Sequence, residues 1–319
     1  MRPRPLARHA QAMIETRQLS KRYGAAVAVH ALSFQAPAGC VTGFLGPNGA
    51  GKSTTLRMIL GLCSPTAGEA LIDGVPYRRL KEPIRVVGAV LDASAVDGGR
   101  TAYDHLRWLA RTASIPPRRI DEVVTRTGIE GVAQRRAGEL SLGMKQRLAI
   151  AAALLGDPGT LVLDEPLNGL DPEGVRWLRS LLRSLASEGR AVLLSSHLMS
   201  EMEITADRLI VIGAGRLLAH TSVRDLLAAE GVQIVVRGPD PQALARRLHA
   251  AGAQVRDLGQ GRLAVHGTDE AAVARVAGQA GIAPHEIRPL RPSLEDAYMR
   301  LTEGHPADRS AAPGGERHP

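Results

Sequence analysis

Aromatic side chains are scarce in this sequence, at 3% of 319 residues: two Phe, two Trp and four Tyr. A core must therefore be built from Leu, Val, Ile and Ala. The supply is sufficient, because hydrophobic residues make up 44% of the chain, which excludes a disordered protein. Long apolar runs are missing. The longest, Leu148 to Leu155, falls well short of the ~18 residues that a membrane span needs. The basic start, Met1-Arg2-Pro3-Arg4-Pro5, has no apolar stretch behind it and does not read as a secretory signal. There are two cysteines, Cys40 and Cys63. They exclude a disulfide framework, and no further Cys or His falls at metal-ligand spacing. Both read as small buried hydrophobes in a reduced, cytosolic compartment. Acidic residues are in deficit, 32 against 40 Lys and Arg, for a net charge of +8. The positive charge is scattered without interleaved aromatics, so it describes a solvated basic surface and no nucleic-acid partner is expected.

Against these absences stands one dense motif, Gly46-Pro47-Asn48-Gly49-Ala50-Gly51-Lys52-Ser53-Thr54. It fits Gly, four residues, Gly-Lys-Ser. Cys40 to Leu45 before it reads as a short buried strand, and Lys52 to Leu62 after it as a helix. Strand, glycine-rich loop, helix is the setting that a phosphate loop requires. Its glycines let several N–H groups converge on phosphate oxygens, and the helix dipole adds to that attraction. Lys52 is expected to reach the β- and γ-phosphates, and the Ser53 hydroxyl to ligate Mg²⁺.

From about residue 14 to 214, strand and helix signals alternate, which implies an α/β core. Strand signals include 26–29, 41–45, 86–91, 161–163, 191–195 and 209–212. Residues from about 94 to 153 are mostly helical in pattern and are expected to form a helical subdomain. A smaller unit over 232–303 follows the order β-α-β-β-α-β, that of a ferredoxin-like α+β domain, with a last helix begun by Ser293 and its acidic partner Asp296. Residues 1–12 and 304–319 read as disordered tails.

Leu161-Val162-Leu163-Asp164-Glu165-Pro166 is an apolar strand ending in two acids. The first can hold Mg²⁺ opposite Ser53, and the second can orient or deprotonate the water that attacks the γ-phosphate. Alone, the pair would read as solvated carboxylates at a strand end; the phosphate loop favours the catalytic role. Leu140-Ser141-Leu142-Gly143-Met144-Lys145-Gln146-Arg147 lies upstream, Gly169-Leu170-Asp171 downstream, and Ser195-Ser196-His197 ends a later strand.

These five elements, in this order over residues 14–220, resemble the ATP-binding subunit of an ABC transporter. The resemblance implies a P-loop ATPase core within residues 13–222 that binds ATP with Mg²⁺. It makes Tyr23 the aromatic stacked on adenine, although a partly buried packing tyrosine looks alike in sequence. It also makes Asp164 the Mg²⁺-associated acid, Glu165 the catalytic carboxylate and His197 the switch histidine at the γ-phosphate. Ser141 and Gly143 match the signature residues that touch ATP held by the other subunit. One phosphate loop and no membrane span then imply a homodimer working with a separate permease, peripheral to the inner face of the membrane.

Two positions depart from the family pattern. Leu142 stands where the signature has glycine, and Asp92 stands where the loop after the third strand has glutamine. Asp92 can still hold Mg²⁺ or water. The Leu-Gly-Met-Lys-Gln-Arg run and the ending Ser293-Leu294-Glu295-Asp296-Ala297-Tyr298 resemble the drug- and antibiotic-exporter branch of bacitracin- and daunorubicin-type ATPases. Two alternatives stay open on sequence: a soluble non-transport ATPase acting on ribosomes or DNA, and an ATP-sensing module of low turnover. The remaining histidines show no constellation, and Trp108 and Trp177 read as core or interface residues.

Overall fold

The computed structural model describes residues 13–231, 233–290 and 293–303; both expected tails lie outside them. The chain divides into two units, one reaching Ser222 and taking in residues 301–303, the other covering Val223–Arg300. In the first, the order is β1 (Met13–Tyr23), β2 (Ala26–Pro37), β3 (Val41–Leu45), α1 (Lys52–Ile59), β4 (Ala67–Ile72), α2 (Pro83–Val86) and β5 (Val87–Val90). Then come α3 (Ala102–Thr112), α4 (Arg118–Thr127), α5 (Leu142–Leu154), β6 (Thr160–Leu163), α6 (Pro172–Ser187), β7 (Ala191–Ser196), α7 (Met199–Thr205), β8 (Arg208–Gly213) and β9 (Arg216–Ser222).

The strands form two sheets. The larger has the order β5-β6-β7-β3-β8-β9. Its first five strands run parallel, and β9 closes it antiparallel to β8. Every residue of β3, β6 and β7 is buried, as expected of a parallel sheet covered on both faces. The smaller sheet, β2-β1-β4, is antiparallel. Its Ile14, Leu19, Val29, Leu32 and Phe34 share one core with Phe44, Leu56, Ile59, Val162 and Ile210. The sequence's two phenylalanines meet there, Phe34 and Phe44, with ring centroids 5.6 Å apart. The aliphatic remainder fills the space that few aromatics leave.

Between β5 and β6 the chain is helical. The Thr101 hydroxyl accepts from Asp104 N at 3.0 Å to start α3, and Ser141 Oγ accepts from Met144 N at 3.3 Å to start α5. Gly128, in the left-handed region, ends α4. Buried Leu106, Ile120, Val123, Leu148 and Ile150 join the three helices.

Several local expectations need correction. The helix after the phosphate loop stops at Ile59, because Leu60 leaves helical geometry and Gly61 turns left-handed. Cys63 therefore lies beyond the helix, and both cysteines are half-buried rather than buried. Trp108, read as a core or interface residue, is 50% exposed beneath the Arg100 guanidinium, 4.8 Å from the ring centroid, which leaves the interface half of that expectation. The strand beginning at Ala26 runs on to Pro37, and β1, β4 and β9 carried no strand signal that the sequence analysis found.

The second unit holds α8 (Val223–Glu230), β10 (Gln233–Arg237), α9 (Pro241–Ala250), β11 (Gln254–Gly259), β12 (Arg262–His266), α10 (Glu270–Gln279), β13 (Glu286–Leu290) and, up to Arg300, α11 (Leu294–Glu303). Its sheet is antiparallel in the order β11-β12-β10-β13, the ferredoxin-like arrangement. Ile234, Val236, Leu263 and Val265 pack with Leu244, Leu248, Val273 and Ala277 of α9 and α10. Ser293 Oγ donates to Asp296 Oδ2 at 2.6 Å and accepts from Asp296 N at 3.2 Å, which caps α11.

Candidate ATP site

In a parallel sheet, the carboxyl ends of the strands share one edge, and binding sites form there. Leu45 is paired with Ser196, Leu163 with Leu194, and Val90 with Leu163. The loops that follow β3, β5, β6 and β7 thus leave the same edge. They carry the phosphate loop, Asp92, Asp164 with Glu165, and His197. Residues separated by about 150 positions in sequence are brought together by register alone.

The phosphate loop is shaped by Gly51, whose φ is +99°. A Cβ there would lie 2.5 Å from Ala28 O, so only glycine fits. As the N-cap of α1, Gly51 offers no side-chain acceptor. The first-turn amides of Lys52, Ser53 and Thr54 have no intrahelical partner either. They form the anion-facing end of a helix that is otherwise packed through Leu56, Met58 and Ile59. The Ser53 hydroxyl is exposed at this end.

Lys52 is buried to 7% exposure, and its Nζ donates to Gly46 O at 2.6 Å and Pro47 O at 3.3 Å. The same Nζ lies 3.8 Å from Glu165 Oε1. The ammonium is held over the loop by carbonyls, which a phosphate oxygen can replace with a full charge.

Glu165 sits at the end of β6 with a φ of +47°, an unusual value for a residue with a side chain. Its other oxygen, Oε2, accepts from His197 N at 3.3 Å and lies 2.7 Å from His197 Nδ1. One carboxylate is thus flanked by Lys52 on one oxygen and His197 on the other. It is partly exposed, so a water can reach it.

A residue that carried no assigned role emerges here. Ser195, fully buried at the end of β7, donates its hydroxyl to Asp164 Oδ1 and accepts from Glu165 N at 2.9 Å. One hydroxyl fixes both acids. The signal that could have found it is the register: β6 and β7 run side by side, so the residue after Leu194 faces the residue after Leu163.

Asp92 is exposed just past β5, and its Oδ1 takes hydrogen bonds from Ser94 N at 2.8 Å and Ser94 Oγ at 2.6 Å. Those bonds hold its carboxyl below the usual carboxylate range. Tyr23 is 53% exposed at the end of β1, with Lys21 Nζ 5.0 Å from its ring centroid. It is not a core tyrosine, and its ring is open to solvent. Ser141 and Gly143 start α5 at the surface; they are not among the groups that contact Lys52, Glu165 or His197 in the bonds above.

The donor set fits a hard divalent cation such as Mg²⁺. Ser53 supplies a free hydroxyl and Asp164 a carboxylate, both hard oxygens, and Mg²⁺ keeps water and substrate phosphate for its remaining positions. Among the described residues no group of three or more His, Cys, Asp or Glu is placed to hold a metal.

Comparison with known proteins identifies the family. The family described as ABC transporter matches residues 29–168, and a domain of unknown function matches residues 232–295. The Nod factor export ATP-binding protein I of Burkholderia orbicola (strain AU 1054) is 37% identical over 298 residues, covering 91% of this chain and 97% of that protein. The ABC transporter ATP-binding protein YhcH of Bacillus subtilis (strain 168) is 34% identical over 293 residues, covering 91% and 96%. Among solved structures, cbiO1 from Clostridium perfringens, part of the ABC transporter complex cbiONQ, superposes with a TM-score of 0.62 at 27% identity. That match covers 76% of this chain and 98% of that one. The chain belongs to the ATP-binding, ATP-hydrolysing subunits of ABC transporters.

Proposed function

We propose that this chain energises the export of a small molecule, of drug or antibiotic type, through a separate membrane permease, and that it does so as a homodimer holding ATP with Mg²⁺. The observation that carries the catalytic part is the Glu165 carboxylate, held between Lys52 and His197 beside an open phosphate loop. The export direction rests on the relatives: the similarity to Nod factor export proteins spans 91% of the chain, second unit included. No helix among the described residues is long and apolar enough to cross a membrane.

The amides of Gly49 to Thr54 and the Lys52 ammonium bind the β- and γ-phosphates, and Tyr23 offers its open ring to adenine. Glu165 orients a water toward the γ-phosphate and accepts its proton. His197 holds Glu165 Oε2 and faces the same phosphate. Ser53 and Asp164, with Asp92 near the same edge, would hold Mg²⁺, which would supply charge neutralisation for the phosphoryl oxygens. Ser141 and Gly143 face the nucleotide of the other copy in a head-to-tail dimer. ATP closes the pair and hydrolysis opens it, a switch the permease converts into transport.

Glu165→Gln keeps shape and nucleotide binding but removes the base. It is expected to lower ATP turnover by about a hundredfold or more; turnover at the wild-type rate would remove Glu165 from the catalytic role. Retrieval of the tagged chain from solubilised membranes with ATP is expected to bring a polytopic membrane protein in comparable amount. Recovery of ribosomes or DNA instead would refute the transport role and leave the ATP site standing.

A further inference from the structure

We infer that Leu142 is a positioning residue for hydrolysis: it fastens the turn that begins α5 to the loop that follows Glu165, within one chain. This rests on Glu165 being the catalytic carboxylate. Leu142 is the first residue of α5 and is 51% exposed. Half its surface in water costs a large apolar side chain what burial would recover. Its contact accounts for the other half. A Cβ placed on Gly169 would lie 2.1 Å from Leu142 Cδ2 and 2.7 Å from Cγ. The isobutyl group therefore lies directly on the bare backbone of Gly169. That residue has a φ of +75°, a conformation that favours glycine.

A looser contact lies beside it. A Cβ on Gly143 would lie 3.5 Å from Leu170 Cδ2 and 3.7 Å from Gly169 O, ordinary contact distances. Leu142 lies on Gly169, and Leu170 passes beside Gly143. The loop that carries Gly169 is tied at both ends. Asn168 N donates to Glu165 O at 3.1 Å, and Leu170 N to Leu167 O at 3.3 Å. Asp171 Oδ1 accepts from Gly174 N at 2.7 Å and caps α6. A displacement of Ser141 and Gly143 therefore presses on Gly169 and reaches the Glu165 backbone through one hydrogen-bonded turn. Glu165 already sits at positive φ, where small backbone shifts redirect its carboxylate. A glycine at position 142 would lack this linkage altogether.

The test uses the full chain and follows ATP hydrolysis across ATP concentration. Leu142→Gly is expected to lower kcat by about threefold to tenfold with KM for ATP within about twofold. Leu142→Met, which keeps the volume, is expected to restore most of the loss. Gly169→Ala pushes a methyl group into Leu142 and is expected to slow turnover on its own. Combined with Leu142→Gly, which vacates that space, it is expected to turn over faster than Gly169→Ala alone. The inference is overturned if the two losses simply multiply, if Leu142→Met is no better than Leu142→Gly, or if Leu142→Gly speeds turnover. Failure of the catalytic assignment is a separate result, seen as Glu165→Gln retaining full activity while the rescue between positions 142 and 169 persists.

Discussion

A single hydroxyl, that of Ser195, holds the two acids at the end of β6, donating to Asp164 and accepting from the Glu165 amide. Because Ser195 is fully buried, water cannot replace the hydroxyl when it is removed. Ser195→Ala is expected to lower turnover by about tenfold and stability by about 1–3 kcal/mol, read from steady-state ATP hydrolysis and denaturant unfolding; Ser195→Thr keeps both. Unchanged turnover in the alanine variant would mean that Asp164 and Glu165 are oriented by other groups. The residues that were legible in sequence share one property: their chemistry is carried by residue type at fixed spacing. Gly46 to Thr54 is a self-contained segment, and Asp164 and Glu165 are adjacent. Ser195 was not legible, because a serine at a strand end is ordinary until the parallel neighbour supplies the acids. Leu142 was read as a departure from a pattern; what it touches depends on a loop more than twenty residues away.

α4 is fastened to the parallel sheet's surroundings by alternating charge. Arg119 reaches Asp157 Oδ1 at 2.9 Å and Leu154 O at 3.0 Å, and Arg126 bonds Glu188. Arg190 joins the two acids, at 2.9 Å from each, and also donates to Pro158 O at 2.8 Å. Arg190 is 4% exposed, which makes it the keystone of the cluster. Arg190→Ala is expected to cost about 2 kcal/mol in denaturant unfolding, less than orphaning a fully buried pair, because Asp157 is half exposed. Partial burial works to raise the Glu188 carboxyl, but bonds and charges from Arg126 and Arg190 outweigh it and the net shift is downward. Its folded value lies below the unfolded 4.5. The stabilisation is therefore complete above pH 4.5 and is lost as pH falls through the folded value. Arg190→Ala is expected to shrink that acid-side loss; an undiminished loss would mean that Arg190 contributes nothing to holding Glu188 charged. Sequence periodicity located the strands of the parallel sheet because they are apolar throughout. It missed β1 and β4, where Glu15, Arg17, Gln18 and Glu69 interrupt any alternation, and where β4 buries only Leu71 and Ile72. Their pairing is decided by the partner strand and the shared core, not by their own pattern.

In the homodimer proposed above, the Ser141-Gly143 turn of one copy completes the ATP site of the other. Glu165→Gln with ATP and Mg²⁺ is expected to double the mass seen by light scattering from 33.8 kDa, and chelation or ATP removal to reverse it. A persistent monomer at saturating ATP would count against the homodimer and favour a different second subunit. The sparse aromatics have a practical outcome at this scale. The sequence has two tryptophans. Trp177 of α6 lies under the Arg147 guanidinium of α5, 4.1 Å from the ring centroid. α5 opens with the Ser141 turn, and α6 opens with the Asp171 cap that ends the Gly169 loop. The indole therefore sits where α5 meets α6, beside the joint that Leu142 and Gly169 already close within one chain, and its emission offers a label-free optical gauge of any shift between those two helices.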